Sequence, residues 1–273
     1  MQRLRTPSPR LRSLSLAALR SGYVIVGSLP TTDGTAATAG AGCLIVLSSR
    51  AKVVETFSGH NINGPWDMTA VDGDYVAALF VTKVRNGTVA ANGSVLDRGT
   101  VVRLVLFMPP NRRPQIVDDT FIAKGFPERI DPAVLVIGPT GVAFDFNSGI
   151  LYMADSLNNR IAAFPDALFR GLPSNGGYTV TQNGGLNDPL GIALTLDGRR
   201  LVSANGGDGN LVEIHTATGR QTSETLIDNT AGRFPEPARS SASMPQRTAS
   251  SSSMTPPTPS TCFTNRTRKL RCC

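Results

Sequence analysis

The stretch Gly138-Pro139-Thr140-Gly141-Val142-Ala143-Phe144-Asp145 runs on to Leu151-Tyr152-Met153-Ala154-Asp155 and then to Asn158-Asn159-Arg160-Ile161. Its order is a proline-bearing opening, an apolar strand, a polar turn at Asn147-Ser148-Gly149, a second strand, and an asparagine turn into a third. Short apolar segments bounded by Gly, Asn and Asp are what antiparallel hairpins require. One such unit cannot fold alone, so it predicts neighbours of the same kind.

The neighbours are present. Ile62-Asn63-Gly64-Pro65-Trp66-Asp67 and Leu186-Asn187-Asp188-Pro189-Leu190-Gly191 open in the same way as Val136-Ile137-Gly138-Pro139-Thr140-Gly141. The last two units align at a constant offset of 50 residues. Pro189-Leu190-Gly191-Ile192-Ala193-Leu194 matches Pro139 to Phe144, Leu201-Val202-Ser203-Ala204-Asn205 matches Leu151 to Asp155, and Asn210-Leu211 matches Arg160-Ile161. The step from Pro65 to Pro139 is longer than the roughly 40–50 residues of common repeats. The polar loop from Asn86 to Arg98 accounts for the excess. Ahead of Ile62, Tyr23 to Gly27, Cys43 to Leu47 and Val53 to Phe57 read as three strands of a further unit whose first strand is not recognisable.

The G-P-x-G-V-A…L-Y-x-A-D…N-N-R-I pattern resembles an NHL repeat, the unit of one β-propeller blade. The resemblance covers residues 21–230 and extends to six-bladed enzymes of the gluconolactonase and streptogramin lyase type. It implies an all-β fold of four-stranded antiparallel blades around a channel; with the repeats counted here, the expectation is a partial β-propeller of NHL-like blades, three full and one incomplete, with disordered termini. It also implies a binding or scaffolding module, often exported or periplasmic. The lactonase branch would imply a divalent cation held by Glu and Asn or Asp side chains in the channel. This chain has Pro139-Thr140-Gly141 and Pro189-Leu190-Gly191 where those blades begin Asn-Gly. The lyase branch uses histidine with acid; here the histidines are His60 and His215.

The net charge of +7 over 273 residues lies in the ends. Residues 1–20 carry five arginines and no acid, and residues 233–273 carry seven basic residues against Glu236. Residues 21–232 hold 15 basic and 19 acidic side chains. A nucleic-acid footprint is a basic face on a folded domain, so nucleic acid is not expected as a partner. No apolar run approaches the roughly 20 residues of a membrane span. The run Leu14 to Leu19 is short for a signal peptide and is closed by Arg20. Residues 1–20 are therefore expected to be a disordered basic lead.

Residues 231–273 are rich in Ser, Pro, Arg and Thr and read as a disordered basic tail. Back-translating Ala238 to Thr264 with G+C-rich codons and shifting the frame by two bases yields ALFGLDAAADGVVFVDDATNTLNLLH. That string has the form of another blade, so the tail is expected to be a frameshift product.

Candidate ligand groups sit in the turns. Asn86 and Asn92 belong to the inserted loop, Asp155 and Asn205 end second strands, and Asp208 and Asn210 flank a glycine turn. Short polar residues there also cap turn N–H groups. Gly206 to Asn210 has the Asp and Asn spacing of a calcium loop with fewer carboxylates than a hard cation needs. No catalytic residue and no cofactor are read from the sequence. The expected function is binding of an unidentified protein or small molecule. A metal-dependent propeller enzyme is the alternative, and an open, non-functional product is a third reading, because propellers close to protect their edges.

Overall fold

The structure is a computed structural model that describes residues 10–132 and 134–230. Four antiparallel sheets follow one another along the chain. The first contains β1 (Arg10–Ala18), β2 (Val24–Thr31), β3 (Cys43–Leu47) and β4 (Val53–Phe57). The second contains β5 (Pro65–Asp72), β6 (Val76–Lys83), β7 (Leu96–Phe107) and β8 (Gln115–Asp131). β9 (Leu135–Ile137) pairs with the end of β8, and β13 (Ser174–Asn175) adds in parallel to its outer edge. The third sheet contains β10 (Pro139–Phe144), β11 (Leu151–Asp155), β12 (Arg160–Phe164) and β14 (Tyr178–Gln182). The fourth contains β15 (Pro189–Leu194), β16 (Arg200–Asn205), β17 (Asn210–His215) and β18 (Gln221–Leu226).

The first strands of successive sheets pack on one another, β1 on β5, β5 on β10 and β10 on β15. This is the β-propeller arrangement: innermost strands side by side, sheets fanning outward. Among the described residues β15 and β1 make no comparable contact, so the four sheets form an arc.

Both middle sheets are buried on both faces. In β6, Leu79 and Val81 pack with Ile25, Leu44 and Val46 of the first sheet. Phe80 between them packs the other way, with Phe144, Leu151, Met153 and Phe164 of the third. Tyr152 and Ala154 then meet Leu201, Val212 and Ile214 of the fourth. Consecutive residues point to opposite faces of a strand, so a sheet covered on both sides needs an unbroken apolar run. Leu151 to Asp155 is buried at every position for that reason. Each fully buried Phe contributes about 1.5–3 kcal/mol, and Phe80, Phe126 and Phe164 are the largest such side chains.

Three expectations need correction. Residues 10–18 are a strand, not a disordered lead, and β1 supplies the missing first strand of a complete first sheet. It escapes notice because Ser15 and Ala17 face inward while Leu16 faces out, the reverse of the hydropathy pattern. The inserted segment is shorter than expected, because Leu96 to Gly99 already belong to β7. The excess length also sits in the 17-residue β8 and in β9. Residues 1–9 and the tail from 231, with its frameshift reading, lie outside the described residues. No helix among the described residues is long and apolar enough to cross a membrane.

Candidate functional site

Antiparallel order sorts the connections to two ends of the sheets. The lower end carries the turns between first and second strands and between third and fourth. The upper end carries the second-to-third turns and the sheet-to-sheet connections, and all six candidate residues lie there.

One position organises this end. The opening prolines Pro65, Pro139 and Pro189 pair with Lys83, Asp155 and Asn205, the last residues of the second strands. All three partners are buried. A cation, an anion and an amide thus occupy equivalent places, each on the face turned toward the preceding sheet.

Asp155 Oδ2 accepts from Arg160 Nη2 at 2.7 Å, Arg160 Nε at 3.0 Å and Asn158 Nδ2 at 2.9 Å. Its Oδ1 has no partner among the described residues. Asn205 Nδ2 donates to Gly185 O at 2.7 Å and to Asp208 Oδ1 at 3.1 Å. Asp208 Oδ1 also accepts from the Asn210 N–H at 3.0 Å, and Asn210 Nδ2 donates to Glu224 Oε1 at 2.6 Å. The Asn86 carboxamide donates to Arg98 O at 2.7 Å. Asn92 is exposed in a left-handed turn at φ 48°.

Around Lys83 lies a charged group that the sequence did not single out. Glu128 is fully buried and accepts from the backbone N–H of Arg85 and of Asn86, each at 2.8 Å. The Arg85 guanidinium donates to Ala39 O and to Asn63 Oδ1. Arg85 adopts φ 96°, a costly left-handed backbone for a side chain of its size. Burial pushes the Glu128 carboxyl up to about 7 and the Lys83 ammonium down to about 8. Burial likewise raises Asp67 to about 7, although it accepts from Val142 N at 3.0 Å and Met68 N at 2.8 Å. Asp188, half-buried, is raised to about 6 by desolvation and then by the nearby Asp131 carboxylate. His60 Nδ1 lies 3.0 Å from Asp119 Oδ2, a carboxylate partner not expected for it from the sequence.

These shifts fix a pH dependence. Between about pH 4 and 7 the folded chain holds protons on Asp67 and Glu128 that the unfolded chain has released. Their contribution to stability therefore falls as pH rises through that range. Between about 8 and 10.5 the unfolded chain keeps a proton on Lys83 that the folded chain lacks, so stability there rises with pH. The urea midpoint is expected to be lowest near pH 7–8 and higher by at least about 0.5 M at pH 5.5. Glu128→Gln should flatten the acid side, and a midpoint unchanged between pH 5.5 and 7.5 in the parent would refute this.

No known protein family matches the sequence, and no curated protein matches it significantly. Solved structures of remote likeness include a protein of unknown function from Bacteroides caccae, at TM-score 0.47 and 11% identity over 80% of this chain and 61% of that one. A proposed 6-phosphogluconolactonase from Bacteroides uniformis follows at 0.48 and 11%, over 81% and 58%. A nidogen/laminin complex gives 0.38 and 13%, over 79% and 80%. The chain spans about three fifths of the first two structures. The assignment of the fold rests on the four sheets and their packing.

Proposed function

We propose that this chain is an NHL-type binding module that takes a polar ligand or protein partner on the upper end of its sheets. One observation carries the reading. Of the asparagines among the described residues, all but Asn111, Asn147 and Asn175 lie in upper-end connections or at their edges. A carboxamide both donates and accepts, and a surface rich in them suits uncharged polar groups. Asn86, Asn205 and Asn210 have intramolecular partners and shape the end. Asn92 and Asn187 are exposed on it.

The catalytic alternative has its own observation, a carboxyl near 7 beside an ammonium near 8 at Glu128 and Lys83. Both groups are buried, and Glu128 has no exposed surface for a substrate to reach. Arrays of glycans and of peptides, probed with the 273-residue chain, test the binding reading. A specific hit weakened at least about fivefold by Asn92→Ala with Asn187→Ala is expected. No hit on either array, together with lactone turnover in added calcium, would move the assignment to the enzyme.

A further inference from the structure

The lower end has a different chemistry. Its turns expose Leu196 at 94%, Phe169 at 88%, Leu172 at 79% and Phe146 at 64%. These side chains are on neighbouring segments. The Ala167 N–H donates to Gly149 O, joining the Phe169 loop to the Phe146 turn. A Cβ on Gly198 would lie 2.9 Å from the Asp145 carboxylate, so the Leu196 turn abuts the same place. Thr216 in the next turn bonds back to Gly198 O and Arg199 O. Monomer surfaces seldom gather large apolar side chains in one exposed cluster without a use.

Basic residues share this end of the sheets. Arg20, Arg50, Lys52, Arg112, Arg199 and Arg220 are all exposed in lower-end turns or beside them. The exposed acids of those turns are Asp74, Asp166 and Asp197. The basic charges extend from the first sheet to the fourth, so they form a broad field on one end and not a pocket. Apolar tips that share one end with a broad basic field are complementary to a bilayer with anionic headgroups, which offers acyl chains below a negative plane. A protein partner would need matched relief across turns of four separate sheets.

We propose that the lower end docks on an anionic lipid surface, inserting Phe146, Phe169, Leu172 and Leu196 below the headgroups while the arginines meet the phosphates. The upper end then faces away from the bilayer and stays open.

Vesicle sedimentation of the full 273-residue chain tests this. Vesicles with about one-third phosphatidylserine should bind it at least about tenfold better than phosphatidylcholine alone at about 0.1 M salt, and much less at about 1 M. Phe169→Ser with Leu196→Ser should weaken binding about tenfold or more, as should Arg112→Glu with Arg199→Glu. Both pairs are exposed, and unchanged fluorescence of the buried Trp66 verifies folding. The basic residues at both chain ends are retained in every variant, so a loss maps to the turns. Absence of binding at about 0.1 M salt, or binding unchanged in both variant pairs, overturns the proposal. So does concentration-dependent self-association removed by the apolar pair without vesicle binding, which would assign the cluster to a second copy of the chain.

Discussion

Asp155→Ala is expected to destabilise the chain by about 3–5 kcal/mol, the range for removing one partner of a buried ion pair. Asp155 has no exposed surface and its partner Arg160 is nearly buried. Arg160 also donates to Gly176 O at 3.0 Å and Thr179 Oγ1 at 3.2 Å, and its guanidinium carbon lies 5.9 Å from the Phe126 ring centroid. Loss of the carboxylate leaves a cation held among neutral groups at the seam of the second and third sheets. Urea melts should show it directly. Replacing Arg160 as well should recover part of the loss, because no charge is then stranded. The fourth sheet supplies an internal control: Asn205→Ala, at the equivalent position, removes only neutral-donor bonds and should cost about 1–2 kcal/mol. Equal losses at the two positions would mean that the charge of Asp155 contributes nothing special.

The same comparison shows what the sequence can reveal. Asp155 and Asn205 align by eye because their units share an offset of 50 residues. Lys83 holds the matching place in the second sheet, yet its chemistry hides the match, and only the pairing with Pro65 exposes it. The third and fourth sheets were legible because their strands are short and punctuated by Gly, Asn and Asp. β8 was not, because Asp118-Asp119, Lys124-Gly125 and Glu128-Arg129 interrupt its apolar run, and bulges against β7 repeatedly reset which face each residue takes. The pairs His60–Asp119 and Arg85–Glu128 join positions far apart in the chain. No local pattern encodes such contacts. The upper end was found in outline through its turn residues, but its buried charges were missed because they lie in strands and at strand ends. The lower end was missed because single exposed Leu and Phe residues in separate turns carry no signal until the turns are brought together.

Gly141→Val is expected to cost at least about 3 kcal/mol, above the usual range for overpacking. A Cβ at Gly141 would stand 2.7 Å from both Leu190 O and Ile192 N and 2.9 Å from Gly191 Cα. All three are backbone atoms of β15, so no side chain can swing aside. The approach is fixed from above as well. Thr140 Oγ1 bonds to Pro189 O at 3.0 Å, and Ser156 Oγ donates to the same oxygen at 2.5 Å. The equivalent residue of the second sheet is Asp67, and there the gap is wide enough for a carboxylate that accepts the Val142 N–H. Adjacent inner strands therefore meet through different groups at the third residue: an aspartate carboxylate between the second and third sheets, a bare glycine between the third and fourth. In Gly141→Val the strands β15 to β18 should lose protection from hydrogen exchange before β5 to β8 do, and Trp66 fluorescence should report a lowered urea midpoint. An unfolding free energy within about 0.5 kcal/mol of the parent would show that the two sheets can part without cost. The glycine of the G-P-x-G opening would then be a feature of the turn and not of the contact between sheets.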